Sequence, residues 1–285
     1  MWGFTGILGK LIHLDAFFIV WYRLLIALVA LAVAMIVLKR SFYLPNTKKL
    51  IQISLIGIVV GLHWVTFYMS IQLSTASLGI LCLSTTTVHV TWLEPLVMKR
   101  RFSWIELLLS IIVIYGIYFV SGDFSANEYE AVGYGLLSAL FAAIFAVFNS
   151  KFAEDIPPSK ISFYEFISAF IFLSILLTFE GRLTVENVLS VSLSDILWLL
   201  FLGVLCTSFA FLATIEVMKK LGAFTVSLSI NLEPVYTIFL AILILNEHEL
   251  LSPNFYIGTI IIILVVISNA LIKFYQKRKK LKSFH

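Results

Sequence analysis

Long apolar segments alternate with short polar connections along almost the whole chain. A helix needs about 20 apolar residues to cross the hydrocarbon core of a bilayer. The segments are continuously apolar, unlike the strands of membrane barrels, which alternate between apolar and polar positions over about ten residues. They predict ten membrane-spanning helices, at about residues 1–12, 17–38, 50–71, 78–98, 104–121, 131–150, 161–179, 196–217, 221–245 and 255–275.

The first segment is the exception among the ten. Its twelve residues would cover only ~18 Å of the ~30 Å hydrocarbon core, at ~1.5 Å per residue. We expect either that the native start lies upstream of Met1 or that this helix is incomplete. A signal peptide is disfavoured, because no basic stretch precedes the apolar run and no small-residue cleavage site follows it.

The composition agrees with a membrane protein. Of the 285 residues, 61% are hydrophobic and 13% are charged, whereas an average soluble domain has about 45–50% apolar and about 25% charged residues. A water-soluble globule and a disordered chain are therefore excluded. Nucleic-acid binding is excluded because the basic residues are scattered in short connections. The two cysteines, Cys82 and Cys206, lie in apolar segments, which excludes a secreted disulfide scaffold.

Lysine and arginine residues collect on alternate connections. With the C-terminal tail placed inside, the inner segments hold seventeen of the twenty basic residues: Lys39, Arg40, Lys48, Lys49, Lys99, Arg100, Arg101, Lys151, Lys160, Lys219, Lys220, Lys273, Lys277, Arg278, Lys279, Lys280 and Lys282. Because cytoplasmic loops are enriched in basic residues, we predict a multi-pass protein of the cell inner (plasma) membrane with both termini cytoplasmic. The basic tail, residues 276–285, is expected to contact anionic lipid.

An internal repeat relates the two halves of the chain. Residues 17–34 align with residues 159–176, so that Trp21, Tyr22 and Arg23 fall on Phe163, Tyr164 and Glu165. Five spans in each half is an odd number, so the second half must be inverted relative to the first. The basic connection at Lys99 accordingly corresponds to the acidic connection at Glu247. We predict an all-α integral membrane protein built from two inverted five-helix repeats, residues 1–122 and 131–275, an architecture that recurs in secondary transporters.

An ionisable residue deep in the ninth predicted span is the sharpest local signal. Glu233 lies about midway along that span and precedes Pro234, and Asn231 lies within one turn. Proline lacks an N–H and leaves the carbonyl of Ile230 without its helical partner, which bends the helix and brings backbone polarity to a cavity. The alternative is a structural kink with an internally hydrogen-bonded glutamate, and both interpretations stay open.

Polar and aromatic residues share a face on two further spans. On the fourth span they recur at spacings of three and four, as Cys82, Thr85, Thr86, His89 and Trp92. On the third span, Trp64 and Tyr68 lie one turn apart. Both sets are candidates for a cavity lining, and ordinary helix packing is the alternative for each.

Arg23 lies about a third of the way along the second span, too deep for its side chain to reach water easily. An arginine at that depth needs a carboxylate, backbone carbonyls or an anionic ligand group. It is a candidate substrate-binding residue, with a structural ion pair as the alternative. Glu94, Glu165 and Glu216 lie near the inner ends of their spans, and we expect them at the membrane interface.

Several short motifs resemble the EamA-like family of the drug/metabolite transporter superfamily, over nearly the whole chain. They are the Trp2-Gly3 opening with a later Lys10, the Tyr22-Arg23 pair, and the stretch Asn231 to Pro234 followed by Glu247 and Gly258. In the first half, Thr86, Lys99 and Ser110 stand at the corresponding positions, a departure from the family pattern. The resemblance implies ten helices and a central cavity lined by helices one, three, four, six, eight and nine. It also implies transport, often export, of amino acids or other small metabolites.

The residues and the resemblance together predict a secondary membrane transporter that works by alternating access, with export as the favoured direction. The candidate substrate-binding residues are Arg23, Trp64, Tyr68, Thr85, Thr86, His89, Asn231, Glu233 and Pro234. The expected partners are a small-molecule substrate and membrane lipid, and we expect no cofactor, metal or nucleic acid. The identity of the substrate, the coupling and a homodimer stay open.

Two other classes of function compete with transport. An intramembrane lipid-modifying enzyme would need an H-E-x-x-H motif or paired aspartates near the interface. The sequence contains neither, so we expect no catalytic residues. A non-transporting membrane sensor subunit would have a solid core, so a central cavity would distinguish a transporter from it.

Overall fold

A computed structural model of the protein describes residues 3–99, 101–120, 125–210 and 233–282. The regular elements in these residues are helical. The α-helices are α1 (Gly3–Leu11), α2 (Ala16–Val37), α3 (Thr47–Leu73), α4 (Ala76–Leu83), α5 (Thr86–Met98), α6 (Trp104–Val120), α7 (Ala126–Phe152), α8 (Pro158–Phe179), α9 (Val185–Leu189), α10 (Leu193–Leu200), α11 (Glu233–Leu245) and α12 (Pro253–Lys282). A π-helix (Phe201–Phe209) continues α10, and a 3-10 helix (Glu247–Glu249) follows α11.

Polar side chains mark the starts of several helices. The side chains of Asp15, Asn46, Thr75 and Ser192 accept a hydrogen bond from a backbone N–H in the first turn of α2, α3, α4 and α10. The first four N–H groups of a helix lack intrahelical acceptors, so these residues supply one where the apolar run begins. The predicted spans at 17–38, 50–71, 78–98 and 196–217 therefore each start within a few residues of a capping side chain.

One end of the helices carries basic connections, and we call it the basic end. There Lys49 at the start of α3 forms an ion pair with Asp155 at 2.6 Å. Lys160 in the first turn of α8 donates to the backbone carbonyl of Tyr43 at 2.7 Å. These contacts join the connections α2–α3 and α7–α8 at the same end of the protein.

The opposite end of α2 carries acidic connections, and we call it the acidic end. The Asp15 carboxylate lies 2.7 Å from Arg182 and raises the pKa of that guanidinium. Burial alone would raise the pKa of Asp195, which precedes the eighth predicted span. The N–H of His13 donates to this carboxylate at 2.9 Å and the hydroxyl of Ser192 donates at 2.7 Å. These hydrogen bonds outweigh burial, so the pKa of Asp195 lies below its ordinary value.

Helix α3 lies against both α7 and α8, and small residues bring it close to α8. Gly57 faces the backbone of Glu165, and Gly61 faces Ala169. The small-xxx-small spacing of these glycines is typical of tight helix packing in membranes. Helix α2 packs against α8 and the π-helix, and α6 packs against α12.

Helices of the two halves match in length and in how they end. Both α2 and α8 have 22 residues. The residue two positions after α2 is Lys39 (φ 51°), and the one two positions after α8 is Gly181 (φ 68°). The residue directly after α5 is Lys99 (φ 52°), and the one directly after α11 is Asn246 (φ 54°). A left-handed residue here lets the chain turn away from a finished helix.

Five helices in the described part of the chain are long and apolar enough to cross a membrane: Ala16–Val37, Thr47–Leu73, Ala76–Met98, Asn127–Phe152 and Pro158–Phe179. Shorter apolar helices cover Leu107–Phe119, Leu193–Phe209, Glu233–Leu245 and Pro253–Asn269. Large apolar side chains such as Leu108 and Ile111 on α6 and Leu264 on α12 are exposed. An apolar surface of this kind fits lipid rather than water. The chain is a multi-pass membrane protein.

Candidate functional site

A buried arginine lies at the meeting point of three helical elements. Arg23 of α2 is 4% exposed, and its guanidinium carbon lies 3.9 Å from the centre of the Trp64 ring on α3. Its Nη1 donates to the hydroxyl of Tyr68 at 3.2 Å, and its Nε donates to the hydroxyl of Thr207 at 3.0 Å. Trp64 and Tyr68 are one helical turn apart, so a single face of α3 holds the arginine. We call these four residues the Arg23 cluster.

The π-helix explains how Thr207 reaches the arginine. Its hydroxyl accepts from Arg23 and donates to the carbonyl of Leu202 at 2.8 Å, five residues back. The next residue, Ser208, donates to the carbonyl of Ala27 on α2 at 2.7 Å. A π-helix is rare and is often found at functional sites. Thr207 was not predicted from the sequence because most of its segment is apolar. The three- and four-residue spacing of an α-helix also does not predict the wider turn of a π-helix.

The Arg23 cluster lacks a charged partner among the residues that the structure describes. No carboxylate of these residues lies within ion-pair distance of the guanidinium. Of its five N–H donors, two have acceptors in the described ranges. Glu233 of α11 is half-buried and within range of an electrostatic interaction with Arg23. The cluster therefore has unused donors and a carboxylate nearby but not bound.

The fourth predicted span is interrupted, since α4 ends at Leu83 and α5 begins at Thr86. Four consecutive hydroxyl side chains stand at this break, and each donates to the carbonyl three residues earlier: Ser84 to Leu81, Thr85 to Cys82, Thr86 to Leu83 and Thr87 to Ser84. Broken helices persist in membranes only where freed backbone groups find such partners. Under the repeat alignment that pairs Lys99 with Glu247, Thr86 on α5 corresponds to Pro234 on α11.

The other residues predicted for the site lie in different surroundings. Thr85 is 2% exposed, Thr86 and His89 are half-buried, and Trp92 is 43% exposed. Pro234 is buried in the first turn of α11. Asn231 and the kink expected around Ile230 lie outside the described residues. The structure thus joins Arg23, Trp64 and Tyr68 directly and gives no contact that ties His89 to them.

His63 illustrates the packing alternative for a polar residue at mid-depth. It is 6% exposed, and its Nδ1 lies 2.9 Å from the hydroxyl and 3.0 Å from the carbonyl of Ser138 on α7. The hydroxyl of Ser138 also donates to the His63 carbonyl at 3.0 Å. These contacts satisfy the ring nitrogen within the α3–α7 interface, so His63 holds two helices together.

Glu247, which the sequence places in an outer connection, is buried and caps α4. It is 2% exposed, and its carboxylate accepts from the N–H groups of Ala76 at 2.7 Å and Ser77 at 2.9 Å. The amine of Lys10 on α1 donates to the neighbouring carbonyl of Ser74. Glu247 of the second half of the chain thereby binds the start of α4 in the first half, at the acidic end.

A cleft of about 120 Å³ lies next to this cap, lined by Ser74, Thr75, Leu78, Glu128, Leu250, Leu251, Ser252 and Phe255. It opens at the acidic end of the protein. None of the residues that line it belongs to the Arg23 cluster, so the cleft is separate from the candidate site.

Glu165 corrects one expectation from the sequence. We expected it at the membrane interface near a basic residue, but it is 2% exposed between α8 and its neighbours. The position of a residue along a span follows from the sequence, whereas the rotation of the helix about its axis does not. The close approach of Gly57 to the Glu165 backbone turns the carboxyl inward.

The fold is that of a multi-pass membrane protein with a buried arginine cluster, and comparisons give the family. A model of the EamA-like transporter family matches residues 1–122 and 130–271. The "Uncharacterized transporter YdfC" of Bacillus subtilis (strain 168) is 25% identical over 234 residues, covering 79% of this chain and 73% of that protein. A solved crystal structure shares the fold with a TM-score of 0.64 and 12% identity, over 94% of this chain and 91% of that one. The chain belongs to the EamA-like transporter family and is a membrane transporter.

Proposed function

We propose that the protein is a secondary transporter that exports small neutral or zwitterionic metabolites such as amino acids from the cell. In this proposal ten spans form two inverted halves in the inner membrane, both termini are cytoplasmic, and the halves rock about the Arg23 cluster. The equal lengths of α2 and α8, and the left-handed residues that follow α2, α8, α5 and α11, support the inverted repeat.

The observation that carries the proposal is Arg23. An ionised side chain in the membrane interior is costly unless a partner compensates it, and Arg23 has unused donors among the described residues. A substrate carboxylate would supply two acceptors in the planar geometry that guanidinium groups favour. The stacking of Arg23 on Trp64 fixes the plane of the guanidinium before the substrate arrives.

Glu233 extends the proposal to zwitterions. Its carboxylate lies on α11, within electrostatic range of Arg23. An amino acid with its carboxylate on Arg23 would direct its ammonium group to a nearby acidic oxygen. The aromatic rings of Trp64 and Tyr68 offer apolar contact area for the rest of such a molecule.

The first experiment identifies the substrate by comparing metabolites inside and outside cells with and without the gene. An exporter is expected to leave its substrate accumulated inside cells that lack it. The compound is then tested for uptake and counterflow in proteoliposomes that contain the purified protein. Equal metabolite levels in both strains, over a broad panel of compounds, would contradict export.

The second experiment compares Arg23→Lys with Arg182→Lys. Lysine keeps the charge but loses the planar pair of donors, so Arg23→Lys is expected to raise the KM for the substrate roughly 10- to 150-fold, the loss of one charge-assisted hydrogen bond. Arg182 lies at the acidic end and already has carboxylate partners, so Arg182→Lys is expected to leave the KM unchanged. Equal KM values for wild type and Arg23→Lys would remove the arginine from the substrate site.

A further inference from the structure

A second buried ionisable residue lies in the membrane-spanning part of the chain, apart from the Arg23 cluster. Glu165 of α8 is 2% exposed, and its Oε1 has no hydrogen-bond partner among the described residues. The side chain of Asn149 on α7 faces the carboxyl group as a hydrogen-bond donor. Oδ1 of Asn149 and the hydroxyl of Ser162, which is 1% exposed, also lack partners in the described ranges. Three polar groups are thus buried together with incomplete hydrogen bonding.

No basic side chain of the described residues neutralises this carboxyl group. The titratable groups on the helices packed around it have other partners. On α2, Tyr22 donates to the carbonyl of Val188 and Arg23 donates to Tyr68 and Thr207, and on α3, Lys49 pairs with Asp155 and His63 with Ser138. On α7 and α8, Lys151, Lys160 and Tyr164 donate to the backbone carbonyls of Val97, Tyr43 and Phe42, respectively. Lys48 belongs to the first turn of α3, and Glu128, Tyr129, Glu130 and Tyr134 to the first half of α7, towards the acidic end.

An ionised carboxylate buried without a counter-charge costs far more than the neutral acid. The neutral acid also suits the neighbouring groups, because its O–H needs an acceptor and Oδ1 of Asn149 is unused. The oxygen and nitrogen of an asparagine amide exchange places by a flip of the side chain. Asn149 is therefore able to donate to the charged form of Glu165 and to accept from the neutral form.

Glu165 is also linked to the Arg23 cluster through packing. Phe166, the next residue, packs its ring against Trp64 with centroids 5.8 Å apart, and Trp64 stacks on Arg23. Both Arg23 and Glu165 are the eighth residue of a 22-residue helix, α2 and α8 respectively. The two buried ionisable residues therefore occupy equivalent positions of helices that run in opposite directions, Arg23 nearer the acidic end and Glu165 nearer the basic end.

We propose that Glu165 is a proton-binding site of the transporter, which holds a proton in the conformation described here. The carboxylic acid releases this proton to water, and becomes a carboxylate, when α8 moves against α3 and water from the basic end reaches it. Because the Phe166 ring packs against Trp64, the movement of α8 would also displace Trp64, which links protonation of Glu165 to the Arg23 cluster. The role of this proton in the transport cycle rests on the proposed function, but the presence of the proton on Glu165 is testable without a substrate.

The test is an infrared pH titration of the purified protein in lipid vesicles, without substrate. Exposed carboxylates lose their protons near pH 4, so a protonated-acid carbonyl band that persists above that pH reports a buried acid. The titration uses a Glu233→Gln background, because Glu233 is a second carboxyl group in a membrane-spanning helix. The band is expected in this background, absent after the further change Glu165→Gln and shifted in frequency after Glu165→Asp. Glu130→Gln, which changes an exposed carboxylate on α7, is the matched control and is expected to keep the band.

Each outcome decides the proposal. A band that survives in Glu165→Gln, with the variant monodisperse in gel filtration, would overturn it. The same holds if the band of the Glu233→Gln background disappears at constant pH when sodium replaces potassium, because the buried oxygens would then hold a metal ion. Arg23→Lys is expected to keep the band. If Arg23→Lys leaves the KM for the substrate unchanged while the infrared band persists, the proposed function is refuted and the proton-binding site is not.

Discussion

The contact between α3 and α8 yields a sharp test of the packing, through the substitution Gly57→Ala. A Cβ at this position would lie 2.5 Å from the backbone oxygen of Glu165 and 2.7 Å from its Cα. These are backbone atoms, which cannot rotate away. The two helices would have to separate by roughly 1 Å to restore ordinary contact distances.

The magnitude follows from two opposing effects. Overpacking a tight interface costs ~1–3 kcal/mol, whereas replacing a helical glycine with alanine contributes up to ~1 kcal/mol in favour of the helix. We therefore expect Gly57→Ala to destabilise the protein by about 1–2 kcal/mol. At position 133 a Cβ meets no atom within 4 Å, so Gly133→Ala is the matched control and is expected to be neutral or slightly stabilising.

The assay is thermal unfolding of the purified proteins in one detergent, followed by gel filtration of the heated samples. With ~2–4 °C per kcal/mol for a protein of this size, Gly57→Ala is expected to lower the midpoint by several degrees relative to Gly133→Ala. Gly61→Ala, whose Cβ would lie 3.2 Å from the side chain of Ala169, should fall between them. Equal midpoints for Gly57→Ala and Gly133→Ala would refute the close contact of α3 with α8.

Two further predictions concern the acidic end. Glu247→Ala leaves two buried N–H groups at the start of α4 without their acceptor. We expect it to lower the stability measured by thermal unfolding by ~1–2 kcal/mol. Glu249 is an exposed neighbour, and Glu249→Ala is expected to change the stability by less than about 0.5 kcal/mol. Asp195 has a lowered pKa in the folded protein, so its contribution to stability is present above about pH 4, the unfolded value, and is lost as the pH falls below that. Asp195→Asn should therefore flatten the acid limb of a stability–pH curve, and an unchanged limb would contradict the hydrogen bonds from His13 and Ser192.

The sequence predicted the helices better than the contacts between them. The predicted spans 17–38 and 161–179 agree closely with α2 (Ala16–Val37) and α8 (Pro158–Phe179), because a continuous apolar run needs only its length to identify a membrane helix. The pattern of basic and acidic connections likewise agrees with the two ends of the structure. These features depend on residues that are neighbours in sequence.

Features that depend on the rotation and contact of helices were harder to predict. Trp92 lies two turns after Thr85 along α5 yet is 43% exposed, whereas Thr85 is buried, so a shared spacing did not fix which side chains face the protein. Glu165 was expected at the interface and Glu247 in an open connection, and both are buried by helices distant in sequence. Thr207 lies in a π-helix, which a spacing of three and four residues does not anticipate.

The central proposal is that the Arg23 cluster is reached from both ends of the protein in turn. It is tested most directly by Thr207→Cys, in a protein whose buried cysteines Cys82 and Cys206 are replaced by alanine. A membrane-impermeant thiol reagent is added to either side of sealed vesicles, with Leu173→Cys, a fully buried position on α8, as the control. We expect Cys at 207 to react from both sides and the reaction to slow when substrate is present, while Cys at 173 stays unreactive. Absence of reaction at 207 from either side, or reaction from one side alone, would contradict the claim.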